Sequence, residues 1–102
     1  MEVLLVANDQ LIQVIALKNV STGAYVNNGV GTATLKDSGG VNVTGAINLA
    51  LSYKAATNGE YEALMASTVV LVAGSEYTLH VDFTSPAVFH AEVPCVARVR
   101  RN

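Results

Sequence analysis

Glu76-Tyr77-Thr78-Leu79-His80-Val81-Asp82-Phe83-Thr84 is the stretch that decides the fold. Tyr77, Leu79, Val81 and Phe83 take every second position, and Glu76, Thr78, His80, Asp82 and Thr84 take the others. Only an extended chain sends successive side chains to opposite faces, so this period of two predicts a half-buried strand. Upstream, Ile47, Leu49, Leu51 and Tyr53 alternate with Asn48, Ala50, Ser52 and Lys54. Downstream, Phe89, Ala91, Val93, Cys95, Ala97 and Val99 alternate with His90, Glu92, Pro94, Val96, Arg98 and Arg100. Three such runs predict an all-β protein.

Composition and punctuation agree. Valine, isoleucine and threonine number 16, 3 and 8 among 102 residues, and β-branched side chains favour a pleated surface over a helix. Turn-forming clusters stand at Asn8-Asp9, Asn19 to Gly23, Asn27-Asn28-Gly29, Asp37 to Gly40, Thr57-Asn58-Gly59, Gly74-Ser75 and Ser85-Pro86. Their spacing is that of a sandwich or barrel of short strands. Strands are predicted near 2–7, 11–18, 30–36, 46–54, 60–66, 68–73, 76–84 and 87–100. Helix rivals strand only over Tyr61 to Val72, where Tyr61, Leu64, Met65 and Thr68 have helical spacing. The Asn58-Gly59 turn and the alternation of Tyr61, Ala63 and Met65 favour the strand. No linker, repeat or low-complexity stretch divides the chain, so residues 1–102 read as a single domain.

Several function classes are disfavoured. Charged residues make up 14% and hydrophobic ones 51%, the reverse of a disordered chain. The apolar runs are too short for a membrane-spanning helix, and a net charge of −2 gives no general attraction to nucleic acid. A lone cysteine, Cys95, cannot close an internal disulfide. The N-terminal residues have no basic segment ahead of a hydrophobic one, so synthesis in the cytoplasm is expected and the sequons at Asn19 and Asn42 read as coincidence.

Candidate chemistry is sparse. Glu60 and Glu62 share a strand face, where paired carboxylates could act as acid and base, but a solvated face explains them. His80 and Asp82 share another face and could meet His90, yet two histidines without a cysteine cluster give no recognised ligand spacing. Cys95 falls on the apolar face of its strand and reads as core. Gly29-Val30-Gly31 lacks the rest of a dinucleotide loop. Arg98, Arg100 and Arg101 form the one basic cluster, without aromatic residues on which bases could stack. No catalytic residue, cofactor or metal is predicted.

The segment Val88 to Arg100 would measure about 43 Å as a strand at ~3.3 Å per residue, long for so small a domain. It should bend at Pro94 or carry its end to a neighbour. Leu11 to Leu17 and Val69 to Val72 are apolar at nearly every position, as expected of strands buried on both faces or covered by another subunit. With so few charges, the chain reads as part of a homo-oligomer or larger assembly.

Asn19-Val20-Ser21-Thr22-Gly23-Ala24-Tyr25-Val26, Thr32-Ala33-Thr34-Leu35 and Asp37-Ser38-Gly39-Gly40 resemble bacterial and phage immunoglobulin-like modules. So do Asn58-Gly59-Glu60-Tyr61-Glu62-Ala63 and Leu71-Val72-Ala73-Gly74-Ser75-Glu76-Tyr77-Thr78-Leu79, which resemble a "G-x-Y-x-A … L-x-x-G-x-x-Y-x-L" ending. The likeness spans residues 10–84 and departs from antibody-type domains in lacking the cysteine pair and core tryptophan. It implies a single immunoglobulin-like β-sandwich of seven to eight mostly antiparallel strands. It also implies a non-enzymatic virion protein, foremost a capsid decoration or cement protein, with neck, tail or baseplate components next. The expected partners are then the major capsid protein or neighbouring subunits. Val96, Arg98, Arg100 and Arg101 are the expected contacts, on a C-terminal arm of residues 96–102 whose loss beyond residue 96 should leave the domain folded. The alternative is a small carbohydrate- or peptide-binding module acting through the loop Val20 to Gly29, where Tyr25 is the one aromatic.

Overall fold

The three alternating runs become strands, and four more join them in a computed structural model that describes residues 2–19, 22–85 and 88–99. In chain order these are β1 (Glu2–Leu5), β2 (Gln10–Val14), β3 (Val30–Asp37), β4 (Leu49–Tyr53), β5 (Tyr61–Met65), β6 (Glu76–Ser85) and β7 (Phe89–Arg98). The protein is all-β. Its seven strands form one mixed sheet in the order β1-β7-β6-β3-β4-β5-β2. Every pair is antiparallel except β1 with β7.

The sheet folds over at β4, which pairs through Leu49–Leu51 with β3 and through Ser52 and Tyr53 with β5. The first and last strands in the order, β1 and β2, are joined only by residues 6–9, a link that reaches at most about 18 Å. The sheet must therefore curl until its ends approach. Gln10 fastens them: its side-chain amide donates to the Leu5 carbonyl at 3.2 Å and its Oε1 accepts from the Leu5 N–H at 2.7 Å.

The side chains turned inward form the core. Leu35, Tyr61, Met65, Phe83 and Cys95 are its largest fully buried members. Tyr61 crosses the centre, edge-on to Phe83 at 4.9 Å between ring centroids. Its hydroxyl donates to the Val26 carbonyl at 2.6 Å and accepts from the Gly29 N–H at 2.8 Å. One β-strand residue thus holds the loop that leads into β3. A methyl group on Gly31 would lie 2.7 Å from the Phe83 ring, so glycine there lets β3 pass beneath the aromatic pair. Gly31→Ala should lower stability by about 1–3 kcal/mol through overpacking, measurable by urea unfolding.

Three expectations need correction. The 68–73 segment is not a strand. Val69 and Leu71 are buried while Val70 and Val72 are exposed, so its alternation records burial without a ladder. The Val72 N–H donates instead to the Tyr77 hydroxyl at 2.9 Å. The strand expected at 11–18 ends at Val14, because Ala16 takes a left-handed φ of 57°, and Leu17 turns in to donate to the Gly59 carbonyl. The C-terminal run neither bends away nor projects within its described part. Val96 pairs with both Val3 and Glu76, and Ala97 is fully buried, its N–H bonded to the Ser75 carbonyl. Removal of residues 97–102 should therefore destabilise the fold instead of sparing it. Over 61–72, strand prevails through Met65 and helix nowhere.

Pro94 sits where it costs least. Because the Ala97 N–H points to the β6 side, even-numbered positions of β7 point their nitrogens the other way. Beside Pro94 no described residue pairs on that other side, where the described pairing of β1 runs from Glu2 opposite Cys95.

Candidate functional site

Beside the described part of β1 lies a seam. That part covers β7 only over Cys95–Arg98, and among the described residues no strand pairs with the outer edge of 89–94. On the other side of the seam, β2 pairs among the described residues with β5 alone. Between these two open edges lies a groove of about 560 Å³. Leu79 and Val81 of β6 and Phe89, Ala91 and Val93 of β7 floor it, and Leu11 and Ile15 stand along its β2 rim. Leu11 is 54% exposed and Ile15 68%, large apolar side chains with nothing over them. A lane of six residues, 89–94, is about 20 Å long at ~3.3 Å per residue. Such a lane offers a further extended segment both backbone partners and an apolar floor.

Sequence flagged part of this surface. The two-sided apolar reading of Leu11 to Leu17 was its signal, and Ile12 and Leu17 are indeed buried while Leu11 and Ile15 face out. Val93 and Phe89 gave no such signal, because each looked like one more inward residue of an alternating strand; they line the groove where no described strand pairs with that edge of β7. Of the predicted contacts, Val96 and Arg98 lie on the outward face of β7, and Arg98 borders an open depression with Ala73, Gly74 and Val99. Arg100 and Arg101 lie outside the described residues.

The residues weighed for catalysis part company. Glu60 precedes β5 and Glu62 lies within it, beside a cleft of about 10 Å³ shared with Lys54 and Gln13, room for no more than a water. Cys95 is buried, with its thiol on the Val93 carbonyl at 3.3 Å, which matches the core reading. Tyr25 stands 44% exposed with the Lys18 ammonium 4.8 Å above its ring. Gly29 and Gly31 lie close against the Phe83 ring, Gly29 also against the Tyr61 hydroxyl.

His80, Asp82 and His90 do come together, and Glu92 joins them. Register places His80 opposite Glu92 and Asp82 opposite His90 on the outer face of β6 and β7. The His90 ring bonds through Nδ1 to Asp82 and through Nε2 to Glu92 at 3.3 Å. The Asp82 bond first, and the Glu92 bond second, raise the His90 pKa above 6.5. These partners favour the charged ring, so their stabilisation is complete below the unfolded value and disappears as pH rises through the folded one. An NMR titration should place the His90 midpoint above 6.5, and Asp82→Asn should return it toward that value. A midpoint below 6.5 in the unaltered protein would contradict this arrangement.

Set against known protein families, curated proteins and solved structures, the chain matches none. Among the described residues, no helix is long and apolar enough to cross a membrane.

Proposed function

We propose that this chain is a non-enzymatic structural subunit of a phage particle, a capsid decoration or cement protein. It joins the shell by taking an extended segment of a neighbouring shell protein into the seam between β7 and β2. The observation that carries this reading is the seam itself: an apolar floor bounded by two strand edges with which no further described strand pairs. An incoming strand would lie in line with β1, bond to the outer edge of 89–94 and cover Phe89, Ala91 and Val93.

The phage assignment rests on the resemblance of residues 10–84 to immunoglobulin-like modules. Two structural features support that kinship. The β7-β6-β3-β4 and β5-β2 neighbours follow the G-F-C-C′ and E-B order of immunoglobulin sandwiches. Tyr77, at the start of β6, bonds back to the Val72 backbone, as the tyrosine corner of those domains does. The long outward apolar side chains beyond the seam, Val70 at 79% exposure among them, also suit a subunit covered by neighbours. Neck, tail or baseplate subunits share these demands and are the nearest variants of the reading.

A peptide-binding module is the second reading, because strand addition at an open edge is also how such modules work. One experiment addresses both. Leu11→Lys puts a charge on the seam rim at an exposed position, so the domain should stay folded. Losing the burial of one leucine, about 1.5–3 kcal/mol, should weaken binding to purified shells by about 10- to 100-fold. Unchanged shell binding would remove the seam from the interface. Binding to free peptides but not to shells would favour the peptide module.

A further inference from the structure

We propose that the outer face of β6 and β7 holds a divalent transition-metal ion of the zinc class, with His80, His90 and Glu92 as ligands and Asp82 orienting His90. This inference is independent of the seam, which opens on the other face of the same strands.

The argument begins with register. His80 and Asp82 are two residues apart and share the outward face, as do His90 and Glu92 on the adjacent strand. Directly opposed positions on neighbouring strands bring side chains within about 5.5 Å at Cβ, so four potential donors form one square. The His80 and His90 rings lie 5.6 Å apart between centroids. Glu92 bridges them, with one oxygen 3.7 Å from His80 Nε2 and the other 3.3 Å from His90 Nε2. One donor atom from each of the three residues lies within 4.8 Å of the others. Donors on a tetrahedral zinc ion stand about 3.3 Å apart, given Zn–N distances near 2.0–2.1 Å. Closing the widest gap therefore takes about 1.5 Å, a rotamer adjustment for the half-exposed His90 and Glu92.

The fourth member decides between a loose polar cluster and a built ligand set. Asp82 accepts a hydrogen bond from His90 Nδ1, so Nε2, turned toward Glu92, is the nitrogen that would give up its proton to bind a metal. A carboxylate on the remote nitrogen of a ligating histidine is the usual outer-shell arrangement at zinc. Imidazole and carboxylate together select zinc, nickel, cobalt or copper over calcium and magnesium, which prefer all-oxygen sets. The neighbouring β3 positions are Thr34 opposite His80 and Thr32 opposite Asp82, small and uncharged, and the cation of β3, Lys36, stands one step further along this face, opposite Thr78. Three protein ligands leave the fourth position to water or to a donor from a bound neighbour. The ion would clip β6 to β7 directly behind the open lane.

The test uses the untagged full chain, stripped with a chelator and titrated with zinc chloride in a calorimeter. Long-range nitrogen–proton NMR follows the histidines in parallel. One equivalent should bind, both Nε2 resonances should move, and the His90 Nδ1 proton should persist. Each of His80→Ala and His90→Ala should lower affinity by about 100-fold or more, and Asp82→Asn by about 10- to 100-fold. At a tenfold excess of zinc over Kd, the Tm should rise by roughly 5–10 °C. All four side chains face outward, and Glu92→Gln gives a conservative check should an alanine variant misfold. Absence of saturable binding up to millimolar zinc would overturn the proposal. So would equal affinity in the His80→Ala/His90→Ala double variant, or histidine resonances that zinc leaves in place.

Discussion

Tyr61→Ala is expected to lower stability by about 3–5 kcal/mol, much of the ~5–15 kcal/mol typical of such a domain. The ring is almost fully buried between Tyr53 and Phe83, at 5.6 and 4.9 Å between centroids, so its removal leaves a cavity no neighbour can fill without moving a strand. The hydroxyl matters separately. It is the partner of the Val26 carbonyl and the Gly29 N–H, backbone groups 32 and 35 residues away in sequence. Tyr61→Phe keeps the packing and strands both groups, at about 1–3 kcal/mol. Urea unfolding of the two variants separates packing from hydrogen bonding. Losses below about 0.5 kcal/mol in both would mean that Tyr61 does not organise the core.

The second large effect is expected at Gly59, where alanine should cost about 3 kcal/mol or more. Gly59 has a φ of 71°, and a methyl group there would fall 2.5 Å from the Leu17 nitrogen and 2.6 Å from its carbonyl oxygen. Backbone atoms cannot rotate out of the way as a side chain can. The clash would push apart the Leu17 N–H and Gly59 carbonyl, bonded at 3.0 Å, and strain the Gly59 N–H bond to Asn27 Oδ1 at 2.8 Å. Those two bonds pin Leu17 and Asn27 to the turn before β5. Gly40 supplies the comparison: its φ is 80°, but a methyl group there meets nothing within 4 Å. Gly40→Ala should therefore show only the left-handed cost, about 1–2 kcal/mol. Equal losses at the two positions would show that the close approach of Leu17 does not matter.

The same physics explains what could be read from sequence. Alternation reports which side chains are buried, and over 76–84 burial and pairing coincide because β6 lies between β3 and β7. At 68–73 they do not coincide. Val69 and Leu71 cover the core from a loop in which the Val69 N–H goes to the Ala66 carbonyl and the Val72 N–H to the Tyr77 hydroxyl, and period two looks the same. Tyr77, whose hydroxyl holds this loop, belongs to the alternating run, but sequence does not name Val72 as its partner without the turn between them. The union of β1 with β7 joins opposite ends of the chain, and local pattern carries no information on it.

The seam follows from that same union. The register of Glu2 with Cys95 sets where the described part of β1 covers β7. For the polar cluster, sequence placed His80 with Asp82 and named His90 as a third member. It could not supply Glu92, because the face-to-face pairing of His80 with Glu92 depends on the length of the β6–β7 connection. The terminal arginines were prominent in sequence because they are the one basic cluster, whereas the structure draws attention to an uncharged surface.

The central claim is that this chain belongs to a particle. Its most direct test is to sediment a lysate of the source cells or virus and count the chain in each fraction by mass spectrometry. The account predicts many copies pelleting with large particles, and their loss from that pellet when Leu11→Lys replaces the unaltered chain. Recovery of the unaltered chain only in the soluble fraction, as a monomer, would contradict it.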